Sequence, residues 1–265
     1  MFDAMRNKWF KELWQYRELL YFLVWRDLKV RYKQTIFGIA WAIIQPLFTM
    51  LVFFVFFGKM AKIPSDNIPY PVFSYSALVA WTYFSGSSTY AANSLVGNSN
   101  LLSKVYFPRA TIPCAAVISG LPDFAIASLV LIGIMAYYHI PPSWGLLFWP
   151  VVVIPLVLLA LGISMLLSAL NVKYRDMKYA VPFGFQLWLF ATPIVYPMSI
   201  IPEHYRTWLA INPLVGIIEA FRALVIPSRA IDWVMLGMSL GVTLLVFLIG
   251  FLYFHRAERA FADII

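Results

Sequence analysis

The chain has a single cysteine, Cys114, among its 265 residues. An intrachain disulfide framework and a cysteine-rich metal site are thereby excluded. Charge is scarce as well. Asp, Glu, Lys and Arg make up 12% of the residues, about half of what a soluble domain carries. The three histidines, His139, His204 and His255, fall in different loops or at a span end. They read as solvated or interfacial residues rather than as metal ligands, and no H-E-x-x-H pair occurs. No G-x-x-x-x-G-K-[ST] phosphate loop is present, so the chain is not expected to bind and hydrolyse ATP by itself. No short apolar segment runs up to a small-residue cleavage site behind the charged first residues, so no cleavable signal peptide is expected. There is no internal repeat and no low-complexity tract.

What the sequence has in abundance is apolar surface: 62% of the residues are hydrophobic. That composition belongs to an all-α, polytopic membrane protein whose main solvent is the bilayer. A formal net charge of +8 raises nucleic acid as a partner. The basic residues, however, flank apolar spans, which is the placement that orients a membrane protein. Nucleic acid is therefore not expected.

The stretch Trp25–Leu47 sets the sidedness. Arg26, Lys29, Arg31 and Lys33 form a cationic run, followed at once by uncharged apolar residues as far as Phe57. The basic residues stay at the cytoplasmic surface while the segment from about Ile36 crosses, with the ~20 apolar residues that ~30 Å of hydrocarbon needs. Five further spans follow: about Val72–Val96, Ala110–Tyr138, Leu147–Leu170, Ala180–Tyr196 and Val234–Phe254. On this topology fifteen of the twenty Lys and Arg residues lie inside. The five outside are Lys59, Lys62, Arg206, Arg222 and Arg229. The bias supports an even number of crossings with both termini in the cytoplasm.

Two domains result: residues 1–35, a cytoplasmic amphipathic helix with its basic flank, and residues 36–265, the six-helix membrane domain. In the first, Phe2, Met5, Trp9, Leu13, Tyr16 and Leu20 recur at helical spacing. The helix suits the headgroup region, or else packs on a soluble partner. In the second, residues 98–109 and 171–179 are short internal segments, either plain connections or docking sites for a soluble subunit. Residues 197–232 are external and semi-apolar. Two short helices fit there, about Glu203–Ile211 and Leu214–Val225, broken at Asn212-Pro213. Neither can span, so both read as re-entrant or interfacial.

Candidate functional residues follow from these placements. Phe37, Trp41 and Phe48 share a face of span one. Tyr179, Phe183 and Phe190 share a face of span five, with Gln186. Such faces stack on sugar rings, or simply pack against lipid and core. Arg26, Lys29, Arg31 and Lys33 could recruit a phosphorylated headgroup, or only fix topology. Asp123, beside Pro122, is the one ionisable residue well inside a span. It is either a functional carboxylate or a hydrogen-bonded helix contact near a proline kink. Ala160, Ser164 and Ser168 form a small-residue row suited to helix contact.

Four stretches then carry a resemblance. VWRDLKVRYKQTIFGIAWAIIQPL, LLSKVYFPR, NVKYRDMKYAVPF and INPLVGIIEAFR resemble, in order and over nearly the whole chain, the type-2 ABC-transporter permeases that export bacterial polysaccharides. Within that family the O-antigen export branch and its teichoic-acid relatives are the nearest match. The resemblance implies a homodimer of this chain in the bacterial inner membrane, working with two copies of a separate ABC ATPase that binds ATP and Mg. No cofactor and no catalysis are implied for this chain. The substrate implied is a polysaccharide on a polyprenyl pyrophosphate lipid. Leu101, Leu102, Lys104, Tyr106 and Phe107 would form a coupling helix against the ATPase, with Tyr174 and Arg175 near the same interface. Pro197, Asn212, Pro213, Glu219 and Arg222 would belong to an external gate. Capsule export remains a rival substrate reading. A channel or secondary transporter working alone, and an intramembrane enzyme on lipid-linked sugar, remain open as other classes, although no acid/base cluster is visible for the latter.

Overall fold

The computed structural model describes residues 14–33, 37–105, 107–141, 144–226, 230–258 and 261. The described residues are mostly helical, with no β-strand among them. The helices are α1 (Arg17–Tyr32), α2 (Trp41–Phe53), α3 (Tyr70–Gly97), α4 (Ser99–Lys104), α5 (Thr111–Ile118), α6 (Leu121–Tyr137), α7 (Trp149–Lys173), α8 (Met177–Phe190), α9 (Glu203–Leu209), α10 (Pro213–Val225) and α11 (Trp233–Ala257).

Helix α3 is the central post. It packs against α2, α5, α6, α7, α8 and α10. Its sequence explains why it can. Ser74, Ser76, Ala77, Ala80, Ser87, Ser88, Ala91 and Ala92 are all buried, and small residues let neighbouring backbones approach closely where lipid supplies no hydrophobic drive. Some of these serines hydrogen-bond back to their own helix, as Ser74 Oγ does to the Tyr70 carbonyl at 2.9 Å.

Among the described residues, four helical segments are both long and apolar enough to cross a membrane: Gly38–Met60, Thr111–Tyr137, Trp149–Lys173 and Trp233–Ala257. The expected second and fifth spans are present as helices but differ from these four. α3 has the length, at 28 residues, but its hydroxyl groups dilute its apolarity. α8 has 14 residues, a rise of about 21 Å, and the chain leaves the helix at Ala191. Thr192 precedes Pro193, and a residue before proline is pushed out of the helical region.

Two spans depart from simple rods. The first opens in a 3-10 turn at Gly38–Ala40 and closes in a π-helical stretch, Phe54–Met60. The third is interrupted at Ser119-Gly120 between α5 and α6. Pro122 sits in the first turn of α6, where a missing N–H is harmless, whereas inside a continuous helix it would leave the carbonyl four residues earlier unbonded.

Helices α7 and α11 cross in close contact. A Cβ added to Gly250 would sit 2.0 Å from the Gly162 carbonyl oxygen, and one added to Gly162 would sit 2.6 Å from the Phe247 Cα. The predicted row Ala160, Ser164 and Ser168 is buried in α7. Gly237 and Gly241 of α11 instead face open space.

Of the predicted amphipathic amino-terminal helix, residues 1–13 lie outside the described residues. From Arg17 the helix continues through the cationic run to Tyr32. Leu23 is buried in a second, smaller core with Leu95, Phe107, Ile112, Met165 and Phe254. α1 is thereby fastened along α5.

Candidate functional site

The end of α1 meets the break in span three. Arg31 Nη1 donates to Asp123 Oδ2 at 2.5 Å, and Arg31 Nη2 donates to Ser119 Oγ at 3.2 Å. The Tyr32 hydroxyl donates to the other carboxylate oxygen of Asp123. The Arg31 guanidinium also lies over the Tyr90 ring, 5.2 Å from its centroid. Both charged side chains are about three-quarters covered, with relative exposures of 26% and 27%. Asp123 is thus a paired carboxylate that holds α1 against the start of α6, as its hydrogen-bonded reading required.

The break lies beside this pair, with Ser119 accepting from the same guanidinium. In an unbroken span the N–H groups around Asp123 would all be bonded within the rod. Here the interruption places Asp123 in the first turn of α6, where the positive end of the helix favours a carboxylate.

The other members of the cationic run go elsewhere. Arg26 bonds the neighbouring, buried Asp27 at 2.8 Å. The Lys29 ammonium lies 5.2 Å from the centroid of the Trp25 ring. Lys29 and Lys33 are exposed. The run is therefore not one cationic patch: Arg31 turns inward and spends its charge on Asp123.

Beside the pair lies a cavity of about 500 Å³ between α2, α3 and α6. Trp41, Gln45 and Thr49 from α2, Ser85 from α3 and Asp123 from α6 line it. Of the predicted aromatic faces, Trp41 reaches this cavity. Phe37 packs edge-on against Trp41, ring centroids 5.6 Å apart. Phe37 and Phe48 are exposed, and so are Tyr179, Phe183, Gln186 and Phe190 on α8. Phe185 of α8 is instead buried. Its ring meets Phe84 edge-on, centroids 5.4 Å apart, and stacks with Trp188 at 6.1 Å.

Helix α4 holds Leu101, Leu102 and Lys104. The two leucines are half-buried against the smaller core, and Lys104 is exposed. Phe107 is buried in that core. Tyr106 lies outside the described residues. Tyr174 and Arg175, in the turn after α7, are exposed.

The segment after α8 is built around Arg222, which is completely buried. Its Nη1 donates to the Pro193 carbonyl at 2.8 Å and to Glu219 Oε1 at 2.6 Å. Its Nη2 donates to the carbonyls of Ile194 and Phe73 at 3.1 and 3.3 Å. Asn212 caps α10 through Leu214 N, 3.1 Å from its Oδ1, and its Nδ2 donates to Thr192 Oγ1 at 3.0 Å. Pro213 and Pro197 are buried. The short helices Glu203–Leu209 and Pro213–Val225 end within two residues of the expected bounds. Arg222 as a buried anchor was not legible beforehand; an arginine amid IIEAF and ALV, on an otherwise apolar helix, was the available signal.

These features define a helical membrane protein, and among the described residues no cluster suited to a metal ion occurs. Residues 18–226 match the ABC-2 type transporter family, and the chain belongs to that family. It is similar to the O-antigen export system permease protein RfbA of Myxococcus xanthus, with 31% identity over 256 residues covering 96% of this chain and 97% of that protein. An RfbA protein of Klebsiella pneumoniae is 29% identical over 94% of this chain and 95% of its own. The polysialic acid transport protein KpsM of Escherichia coli is 26% identical over 89% of this chain and 92% of its own.

Proposed function

We propose that this chain is the membrane-spanning permease subunit of an ABC exporter that moves a polyprenyl-pyrophosphate-linked polysaccharide of the O-antigen type across the bacterial inner membrane. The observation that carries this reading is end-to-end similarity to proteins named as O-antigen export permeases, over 96% of this chain in the first case. The absence of a phosphate loop fits a subunit whose energy comes from a separate ATPase, present in two copies and holding ATP and Mg. The chain itself is non-catalytic and carries no cofactor.

On this reading two copies of the chain enclose the passage. Each contributes six crossings, with α3 and the short α8 completing the four more apolar ones, and both termini are cytoplasmic. α4 with Leu101, Leu102 and Lys104, together with Phe107, Tyr174 and Arg175, receives motion from the ATPase. Arg26, Lys29 and Lys33 attract the pyrophosphate headgroup at the cytoplasmic surface. Phe37, Trp41 and Phe48, with Phe183, Gln186 and Phe190 on α8, present aromatic faces along which sugar rings slide. Pro197, Asn212, Pro213, Glu219 and Arg222 belong to the external gate.

Deleting the gene tests the reading: long-chain surface polysaccharide is lost and lipid-linked glycan accumulates on the cytoplasmic side. Surface glycan at wild-type levels would end it. The similarity to KpsM favours capsular polysaccharide as the second substrate reading, with teichoic acid a related one. Purifying the partner ATPase with this chain, and asking whether it carries a carbohydrate-binding domain, separates them.

A further inference from the structure

We propose that the cavity between α2, α3 and α6 is a subsite for one uncharged sugar ring, contained within a single copy of the chain. This rests on the export reading above and adds to it a location and a ligand charge. The volume of about 500 Å³ lies inside the roughly 300–1,000 Å³ range of ligand pockets.

The walls select against the two competing occupants. A hydrocarbon tail would meet Leu78, Phe124 and Leu189 but would also bury Gln45, Thr49, Ser85 and the Asp123 carboxylate, all of which line the cavity, without offering them a hydrogen bond. Polar groups at the depth of a span are tolerated where they face water or a polar partner, not lipid. A phosphate is a poor guest as well. The guanidinium that lines the cavity, that of Arg31, is bonded to Asp123 at 2.5 Å, so the pair brings no net positive charge.

A sugar ring matches what is left. Thr49 Oγ1 already donates to the Gln45 carbonyl at 2.9 Å, and Ser85 Oγ to the Trp81 carbonyl at 2.9 Å. With its proton so engaged, each hydroxyl has only acceptor lone pairs left to offer a guest. With Asp123 they form an acceptor-rich wall, and sugar hydroxyls are donors. The Gln45 amide offers both roles. Trp41 is 48% exposed and presents an aromatic body against which the apolar face of a pyranose packs.

The test uses Thr49→Cys and Ser85→Cys, each with Cys114→Ser, in the full chain in native membranes. A membrane-permeant maleimide is timed in ATP-depleted membranes from cells that make the glycan and from cells blocked at its first sugar. Lys59→Cys serves as the remote position. We expect glycan to slow labelling at Thr49→Cys and Ser85→Cys by about fivefold, the protection that four-fifths occupancy gives, and to leave Lys59→Cys unchanged. Millimolar inorganic pyrophosphate added to glycan-free membranes should protect neither. Equal rates with and without glycan, protection by pyrophosphate, or equal protection at Lys59→Cys would each overturn the proposal. Gene deletion tests export independently. A chain that exports glycan yet shows no protection keeps its function and loses this subsite.

Discussion

The guanidinium carbon of Arg222 lies 3.8 Å from the centroid of the Phe73 ring, although the two residues are 149 positions apart. The stacking sets α10 directly on the start of α3. Four acceptors then meet its two terminal nitrogens: three main-chain oxygens and Glu219. Arg222→Met removes the cation and strands those carbonyls in a buried site. A loss of about 3–5 kcal/mol is expected. Thermal unfolding of the purified chain in detergent measures it. Arg222→Lys should recover less than half, because a lone ammonium cannot reproduce a planar fork.

Arg31 and Lys33 should separate cleanly. Arg31→Glu faces Asp123 with a like charge and should lower stability. Lys33→Glu, on an exposed side chain, should change it by no more than about 0.5 kcal/mol. A double-mutant cycle of Arg31→Gln and Asp123→Asn should return a coupling of about 1–3 kcal/mol. A coupling indistinguishable from zero would mean that the pair does not fasten α1.

The α7–α11 crossing has no room at its centre. Gly250→Leu should cost about 3 kcal/mol or more, since the clash falls on backbone rather than on a side chain that can swing away. Gly237→Ala, facing open space, should be neutral within about 0.5 kcal/mol. Retention of the folded, monodisperse peak in detergent chromatography distinguishes the two.

Asn212 both caps α10 and ties it to Thr192. Asn212→Ala should cost about 1 kcal/mol, the usual worth of such a cap. Asn212→Asp keeps the acceptor for Leu214 N but loses the donor to Thr192, so it should fall between wild type and alanine in the same unfolding assay.

Much of this architecture was legible from hydropathy, because a bilayer fixes the length and composition of what crosses it. The approximate bounds of the long spans followed from that, and the Asn212-Pro213 break from the helix-stopping effect of proline. The interruption at Ser119-Gly120 did not. The run from Ala110 to Tyr138 is largely apolar, and a proline in a membrane helix can kink it without dividing it. The inward turn of Arg31 was hidden for a different reason. Four cations in eight residues read as one patch until a partner 92 positions away is seen to claim one of them. Within the cavity, Trp41 was named from the sequence, but Gln45, Thr49 and Ser85 were not. Their shared wall is made by two helices meeting, which no periodicity along one helix reports.

Arg222 is held largely by peptide oxygens, and every residue type supplies those. The side chain at position 194 can therefore drift over generations without loosening the knot, whereas Pro193 also sets where α8 ends. The arginine itself has no such freedom, nor has the local path of the chain that aims those oxygens inward. In related sequences the segment after α8 should thus show one fixed basic residue.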